Sequence, residues 1–270
     1  MIINPKDIDF SKYKRFFAFG CSFTNWRWPT WADLLRSQMP NAEYYNAGRG
    51  GAGNLYISTQ YSLYDKKYKF NEDDLVVILW STYCREDRYV KNSWLTAGNM
   101  LTQNIYDDEY VQNYVDIKGY MIRDLAIIDN LTKALKSSKH DNIQLLSVPV
   151  MYDADDKNIT DDLSPLLNMY KDLIEELPVS FFENENNQWK HGHTYYHSGF
   201  DDGPAKSIDE PHEPNYADYH PNTIAHYNYL KTLGFPLNQS AESYARETTA
   251  LSNTFTHQSQ FQWDISEEIL

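Results

Sequence analysis

The sequence predicts a single α/β domain built on a parallel sheet, and three observations carry that expectation. Short apolar runs alternate along the chain with segments whose apolar residues recur every three or four positions, the pattern of strands joined by crossover helices. One run, Leu75 to Trp80 (LVVILW), is apolar throughout, as a strand covered by helices on both faces must be. The chain has 270 residues, 41% of them apolar and 15% aromatic, with 11 Gly and 11 Pro, so it can close a sizeable core. No Ser/Gly/Pro-rich linker offers a place to divide it.

Each element has its own signal. Tyr13 to Phe19 (YKRFFAF) reads as a buried first strand that stops at Gly20-Cys21-Ser22. Thr30 followed by Asp33 is a capping-box-like pair opening a helix through Trp31, Leu34, Leu35 and Met39. Ala42 to Tyr45 is a weaker strand running into Asn46-Ala-Gly-Arg-Gly-Gly-Ala-Gly53, after which Ile57, Tyr61 and Tyr64 mark a helix. Leu75 to Trp80 is the third strand. Residues 85–115 have mixed charge and no sustained period, and read as an insertion with some helix of its own. Met121, Leu125, Ile128, Leu131 and Leu135 recur at helical spacing, and Ile143 to Val150 returns to strand composition. Ser164-Pro165 supplies an N-cap and first-turn proline for a helix through Leu173 and Leu177, which Pro178 ends before a fifth short strand, Val179 to Phe182. Residues 183–217 are polar and aromatic, and a loop that long inside a compact domain is usually functional or disordered. His220-Pro221 is expected to open the last core helix, through Ile224, Tyr227 and Leu230, closed by Gly234. The predicted architecture is therefore a flavodoxin-like three-layer sandwich over residues 1–235, with strand order 2-1-3-4-5 and a helical extension and tail at 236–270.

Charge and cysteine content narrow the function classes. With 24 Lys+Arg against 38 Asp+Glu the net charge is −14, so the summed field repels nucleic acid and anionic membranes as partners. No stretch approaches the roughly 20 apolar residues of a spanning helix, and Met1 to Phe10 lacks a basic-then-apolar leader, so a cytoplasmic protein not secreted by a signal peptide is expected. Cys21 and Cys84 cannot build a disulfide framework and read as buried thiols.

In an open parallel sheet, ligands bind beyond the carboxyl ends of the strands, where strand order reverses. That rule selects Gly20-Cys21-Ser22, the turn from Asn46 to Gly53, and Ser81-Thr82. Acyl transfer needs a nucleophilic hydroxyl, a histidine to take its proton, a carboxylate to orient the histidine, and donors for the oxyanion. Asp218-Tyr219-His220-Pro221 can provide the second and third. Asp201, Asp202, Glu210 and Glu213 are alternative acids, and Asp218 alternatively complements a helix N-terminus.

Four blocks, in order, resemble the SGNH hydrolases, also called GDSL esterases and lipases. Gly20-Cys21-Ser22-Phe23 is similar to that family's Gly-Asp-Ser-Leu, with Cys21 in place of the Asp. Asn46-Ala-Gly48-Arg-Gly-Gly51 fits its Asn-x-Gly-x-x-Gly. Trp80-Ser81-Thr82-Tyr83 stands where Gly-x-Asn-Asp is usual, and Ala217 stands where the Asp of Asp-x-x-His-Pro would be. The resemblance implies Ser22 as nucleophile, His220 as general base and Asp218 as its acid. It also implies an oxyanion hole from the N–H groups of Ser22 and Gly51, with the Thr82 hydroxyl replacing the missing Asn. Phe-Ala-Phe-Gly-Cys-Ser-Phe-Thr and Arg85-Glu-Asp-Arg88 are further similar to SGNH-like proteins of bacteriophages, which would place the chain in the host cytoplasm or a virion.

The expected activity is a serine esterase, acting on a small-molecule or carbohydrate O-acetyl ester because the surrounding loops are polar and aromatic rather than aliphatic. A catalytically lapsed binding or structural protein is the alternative that the two departures permit. Trp26, Tyr195 and Tyr196 are expected to wall the substrate cleft, with Asn46 and Arg85 as further substrate contacts, while Trp31 reads as core. His191, His193, His197, His212 and Asp201 contain the donors of a zinc site but match no compact metal motif. Neither a metal nor a cofactor is expected. A second copy of the chain and phage-particle proteins are the partner classes left open.

Overall fold

A computed structural model describes residues 1–101, 106–150, 157–184, 195–197 and 217–252; the side chains of 157–160, 184, 195–197, 217–219 and 252 lie outside that description. The strands, in chain order, are β1 (Arg15–Phe19), β2 (Glu43–Asn46), β3 (Asp74–Trp80), β4 (Arg85–Val90), β5 (Ser93–Asn99), β6 (Asp141–Leu146), β7 (Tyr195–His197) and β8 (Ala217–Pro221). The helices are α1 (Trp31–Ser37), α2 (Asn54–Tyr68), α3 (Asp108–Tyr114), α4 (Ile117–Ser137), α5 (Lys157–Met169), α6 (Lys171–Glu176), α7 (Phe181–Asn184), α8 (Thr223–Thr232) and α9 (Gln239–Ser252).

The central sheet is parallel in the order β2-β1-β3-β6, so the chain reverses direction across the sheet between β1 and β3. Right-handed crossovers then send α1 and α2 to opposite faces. α2 packs with α4, and α1 packs with α8 and α9. β3 is buried at every position, as its unbroken apolar run required. Register is fixed at the foot of the sheet, where the Arg15 guanidinium donates to both Asp74 carboxylate oxygens at 2.6 and 2.7 Å across the β1–β3 pair. The aromatic content is concentrated on one face of β1: Phe17 stacks on Tyr45 with centroids 4.7 Å apart, and Phe19 meets Tyr64 edge-on at 5.3 Å. Tyr61 and Tyr64 of α2, spaced by three, reach this cluster from the helix layer.

Four expectations are corrected. Among the described residues the sheet has four strands, because Ser180 and Glu183 form a capping box that turns Phe181–Asn184 into α7. The Glu183 N–H donates to Ser180 Oγ at 3.0 Å and the Ser180 N–H to Glu183 Oε2 at 2.8 Å. The exposed edge of β6 is occupied by other groups instead. Ile2 bridges to Asn142 at its lower end, the Tyr229 hydroxyl lies 3.2 Å from the Leu146 N–H and 3.1 Å from its carbonyl, and the Phe182 N–H donates to Ser147 O at 3.1 Å. Secondly, the insertion after β3 is an antiparallel hairpin, β4–β5, before the short α3. Lys91 and Asn92 both take left-handed φ values, 52° and 64°, as a two-residue hairpin turn requires. Thirdly, Pro165 lies inside α5 rather than at the start of a helix, and the helical stretch breaks at Tyr170 into α5 and α6. Fourthly, His220 and Pro221 belong to β8; Asn222 caps α8 by accepting from the Ala225 N–H at 3.0 Å. No helix among the described residues is long and apolar enough to cross a membrane.

Candidate functional site

The exit of β1 is a tight turn in which Cys21 O accepts from the N–H groups of Thr24 and Asn25 at 2.9 and 3.3 Å. This turn lifts Ser22 onto the carboxyl end of the sheet, where it is 5% exposed. Asn46, at the exit of β2, fastens the turn: its amide donates to Thr24 O at 2.9 Å and to the Tyr44 hydroxyl at 2.9 Å, while its oxygen accepts from the Gly48 N–H at 2.9 Å. The sequence marks Asn46 as a substrate contact. In the structure both ends of its amide hold the protein together.

β8 carries His220 to the same place. The His220 ring stacks on Trp26 with centroids 3.5 Å apart and meets the ring of Phe23, the residue after Ser22, at 5.8 Å. Trp28 is 1% exposed, and its indole N–H donates to Pro221 O at 2.7 Å, tying the end of β8 to the loop that follows Ser22. Trp26 is thus the platform under the histidine. Asp218 lies two residues before His220 on β8. The side chains of Asp218, Tyr195 and Tyr196 lie outside the described residues, as do Asp201, Asp202, Glu210, Glu213 and the histidines at 191, 193 and 212.

Gly51 has φ +74°, and a β-carbon there would lie 2.4 Å from Thr96 O, so both conformation and contact demand glycine. Among the described residues no acceptor takes the N–H of Ser22 or of Gly51. Arg85 donates through Nη1 to Ala52 O at 3.0 Å, so the guanidinium proposed for substrate supports the Gly-rich turn. At the exit of β3, the Asn54 side chain accepts from the Ser81 N–H at 2.8 Å and donates to Ser81 O at 3.1 Å. Beyond that clamp Thr82 lines a cavity of about 20 Å³ with Ser81, Asp124, Met121 and Leu125. The Ser81 hydroxyl is buried without a partner among the described residues.

One residue near the site was not signalled by the sequence. His226, on α8, is 1% exposed, with its ring 6.4 Å from Phe23 and 5.1 Å from Phe181. Burial, and then the charge of His220, push its pKa down to about 3, so it stays neutral beside the candidate base. A lone histidine on an otherwise apolar helix face carries no motif by which it could be found. Behind the site, burial raises the carboxyl pKa of both Asp87 and Asp124. Arg123 lies between them in charge terms, bonding Asp124 Oδ1 through Nε at 2.8 Å and Arg85 O through Nη2 at 2.8 Å. Cys21 and Cys84 are both buried free thiols.

No protein-family model and no curated protein matches the chain. Solved structures similar to it include an acetylxylan esterase from Geobacillus stearothermophilus, 13% identical with a TM-score of 0.44, covering 86% of this chain and 100% of that one. An alpha/beta hydrolase from the metagenome of Lake Arreo is 12% identical with a TM-score of 0.45, covering 85% and 98%. A member of the lipolytic G-D-S-L family from Veillonella parvula is 13% identical with a TM-score of 0.39, covering 80% and 96%. These are likenesses of shape, and the chemistry rests on the site's own residues.

Proposed function

We propose that the chain is a serine ester hydrolase of the SGNH type. The observation that supports this best is the placement of His220 by Trp26, Trp28 and Phe23 over the loop that begins at Ser22. In this reading Ser22 Oγ attacks the ester carbonyl while a His220 ring nitrogen takes its proton, and Asp218 orients the imidazole. The carbonyl oxygen becomes an oxyanion received by the N–H groups of Ser22 and Gly51 and by the Thr82 hydroxyl. Collapse expels the alcohol, which His220 protonates, and water reverses the sequence to release the acid. The neutral state of His226 favours this chemistry, because a second cation beside His220 would resist the imidazolium that forms. A carbohydrate O-acetyl ester is the proposed substrate class, supported by the polar and aromatic composition of residues 183–217.

The test is a fluorophosphonate probe together with hydrolysis of an aryl acetate. The wild-type protein should be labelled on Ser22 and turn over the ester, and Ser22→Ala should lose the label and several orders of magnitude in rate. A wild-type protein that neither labels nor hydrolyses would assign the fold to binding instead.

A further inference from the structure

The hairpin β4–β5 has no part in the proposed reaction, yet it holds four consecutive residues of the Gly-rich turn. Gly50 O accepts from the Thr96 hydroxyl at 2.7 Å, Gly51 O from the Gly98 N–H at 3.0 Å, and Ala52 O from Arg85 Nη1 at 3.0 Å. The Gly53 N–H donates to Asp87 Oδ1 at 2.8 Å, and the Tyr56 N–H, in the first turn of α2, donates to Asp87 Oδ2 at 2.9 Å. The N-cap of α2 is Gly53, which has no side chain with which to cap it, so Asp87 supplies the cap from another element.

Two details of the hairpin aim these groups. Asp87 and Thr96 are directly opposed in the β4–β5 ladder, so one cross-strand pair reaches both ends of the turn. The ladder then shifts register between that pair and Arg85–Asn99, with Gly98 at φ +75° on the longer side. Such a bulge turns an N–H out of the ladder, and that of Gly98 goes to Gly51 O.

The consequence follows from the planarity of the peptide. The Gly51 N–H belongs to the same trans peptide unit as Gly50 O, and in a trans unit N–H and C=O point in opposite directions. The Thr96 hydroxyl holding Gly50 O therefore also sets the direction of the Gly51 N–H, away from the hairpin. The Gly98 N–H fixes the next peptide unit in the same way.

We propose that the hairpin is the positioning element of the oxyanion hole, with Thr96 as the residue that aims the Gly51 N–H and Asp87 as the residue that locks the turn to α2. This rests on the ester-hydrolase reading. Thr96 and Asp87 touch no reacting atom; they act through the direction of a donor that must be set before the transition state forms.

Thr96→Val preserves shape and β-branching and removes only the hydroxyl. In steady-state hydrolysis of an aryl acetate its kcat is expected to fall about 10- to 100-fold with KM nearly unchanged, because an oxyanion bond strengthens only in the transition state. Thr96→Ser, which keeps the hydroxyl, should restore most of the rate. The Thr96→Val protein should retain a urea midpoint close to wild type, since Thr96 is partly exposed. If Thr96→Val matches wild-type kcat, or loses rate only in proportion to a loss of folded protein, the proposal is overturned while the hydrolase reading stands. If the wild-type protein shows neither turnover nor Ser22 labelling, both fall together.

Discussion

His226 shows what one buried residue does to the pH response of the whole chain. Its pKa is about 3 in the fold against an ordinary value of 6.5, and the cause is burial followed by the nearby His220 charge. Between those two values the unfolded chain holds the extra proton, so stability falls as pH drops below 6.5 and does not change on this account above it. The slope can reach about 1.4 kcal/mol per pH unit. His226→Leu is expected to flatten the loss of stability between pH 7 and pH 5, read as the urea midpoint at each pH; an unchanged slope would assign the acid sensitivity to other groups. Ser22, Gly51 and His220 were legible as candidates in the sequence because each stands in a short motif: Gly-Cys-Ser after the first apolar run, a Gly-rich turn, and Asp-Tyr-His-Pro before a helix. His226 was not, because what makes it unusual is its neighbours, Phe23 and Phe181, which lie far from it along the chain.

At the scale of elements, the edge of β6 carries the main departure from expectation. Val179 to Phe182 has the composition of a strand, but Ser180 and Glu183 satisfy a helix start locally, and the local hydrogen bonds prevail over β-propensity. What a fifth strand would have supplied comes partly from Tyr229, which is fully buried and whose hydroxyl lies within 3.2 Å of the Leu146 N–H and at 3.1 Å from the carbonyls of Leu146 and Val179. Tyr229→Phe keeps the ring and strips these backbone groups of their partner. It should cost about 1–3 kcal/mol, measured by denaturant unfolding, a range set by leaving buried polar groups unpaired. A loss of only a few tenths would mean that water reaches the edge and replaces the hydroxyl. The hairpin β4–β5 was illegible for a related reason: Arg85 to Asn99 has no alternating apolar face, because its inward groups are Arg85, Asp87 and Thr96, chosen to bond the Gly-rich turn.

Across the whole molecule, the candidate site exists only because distant parts of the chain meet. Trp28 and Pro221 are 193 residues apart, and the bond between them fixes β8, with His220 on it, against the loop after Ser22. The same closure brings α8 and α9 onto α1. Trp28→Phe fills most of the indole's space while removing its N–H donor. Turnover of an aryl acetate should fall about 10-fold or more, since a small displacement of a general base is enough to do so. The urea midpoint should move little by comparison, because a single hydrogen bond is worth only about 1 kcal/mol net. Unaltered kcat would show that the Trp26 stack alone positions His220.

The amino-acid sequence by itself determined the α/β class, the position of β1, β2, β3 and β6, the capping box of Thr30 and Asp33, and the candidates Ser22, Gly51 and His220. All of these are local: apolar periodicity, caps and glycine turns act through neighbours a few residues away, so their physics is written in consecutive letters. Tertiary structure alone decided that Asn46 and Arg85 brace the site's loops, that Trp26 carries the histidine, that Asp87 caps a helix it does not belong to, and that Thr96 faces Gly50. In each case a hydrogen bond or ring contact joins residues at least 22 positions apart, and no pattern in either segment specifies its partner. The partner is set by which strand exits lie side by side, and that is a property of the folded sheet.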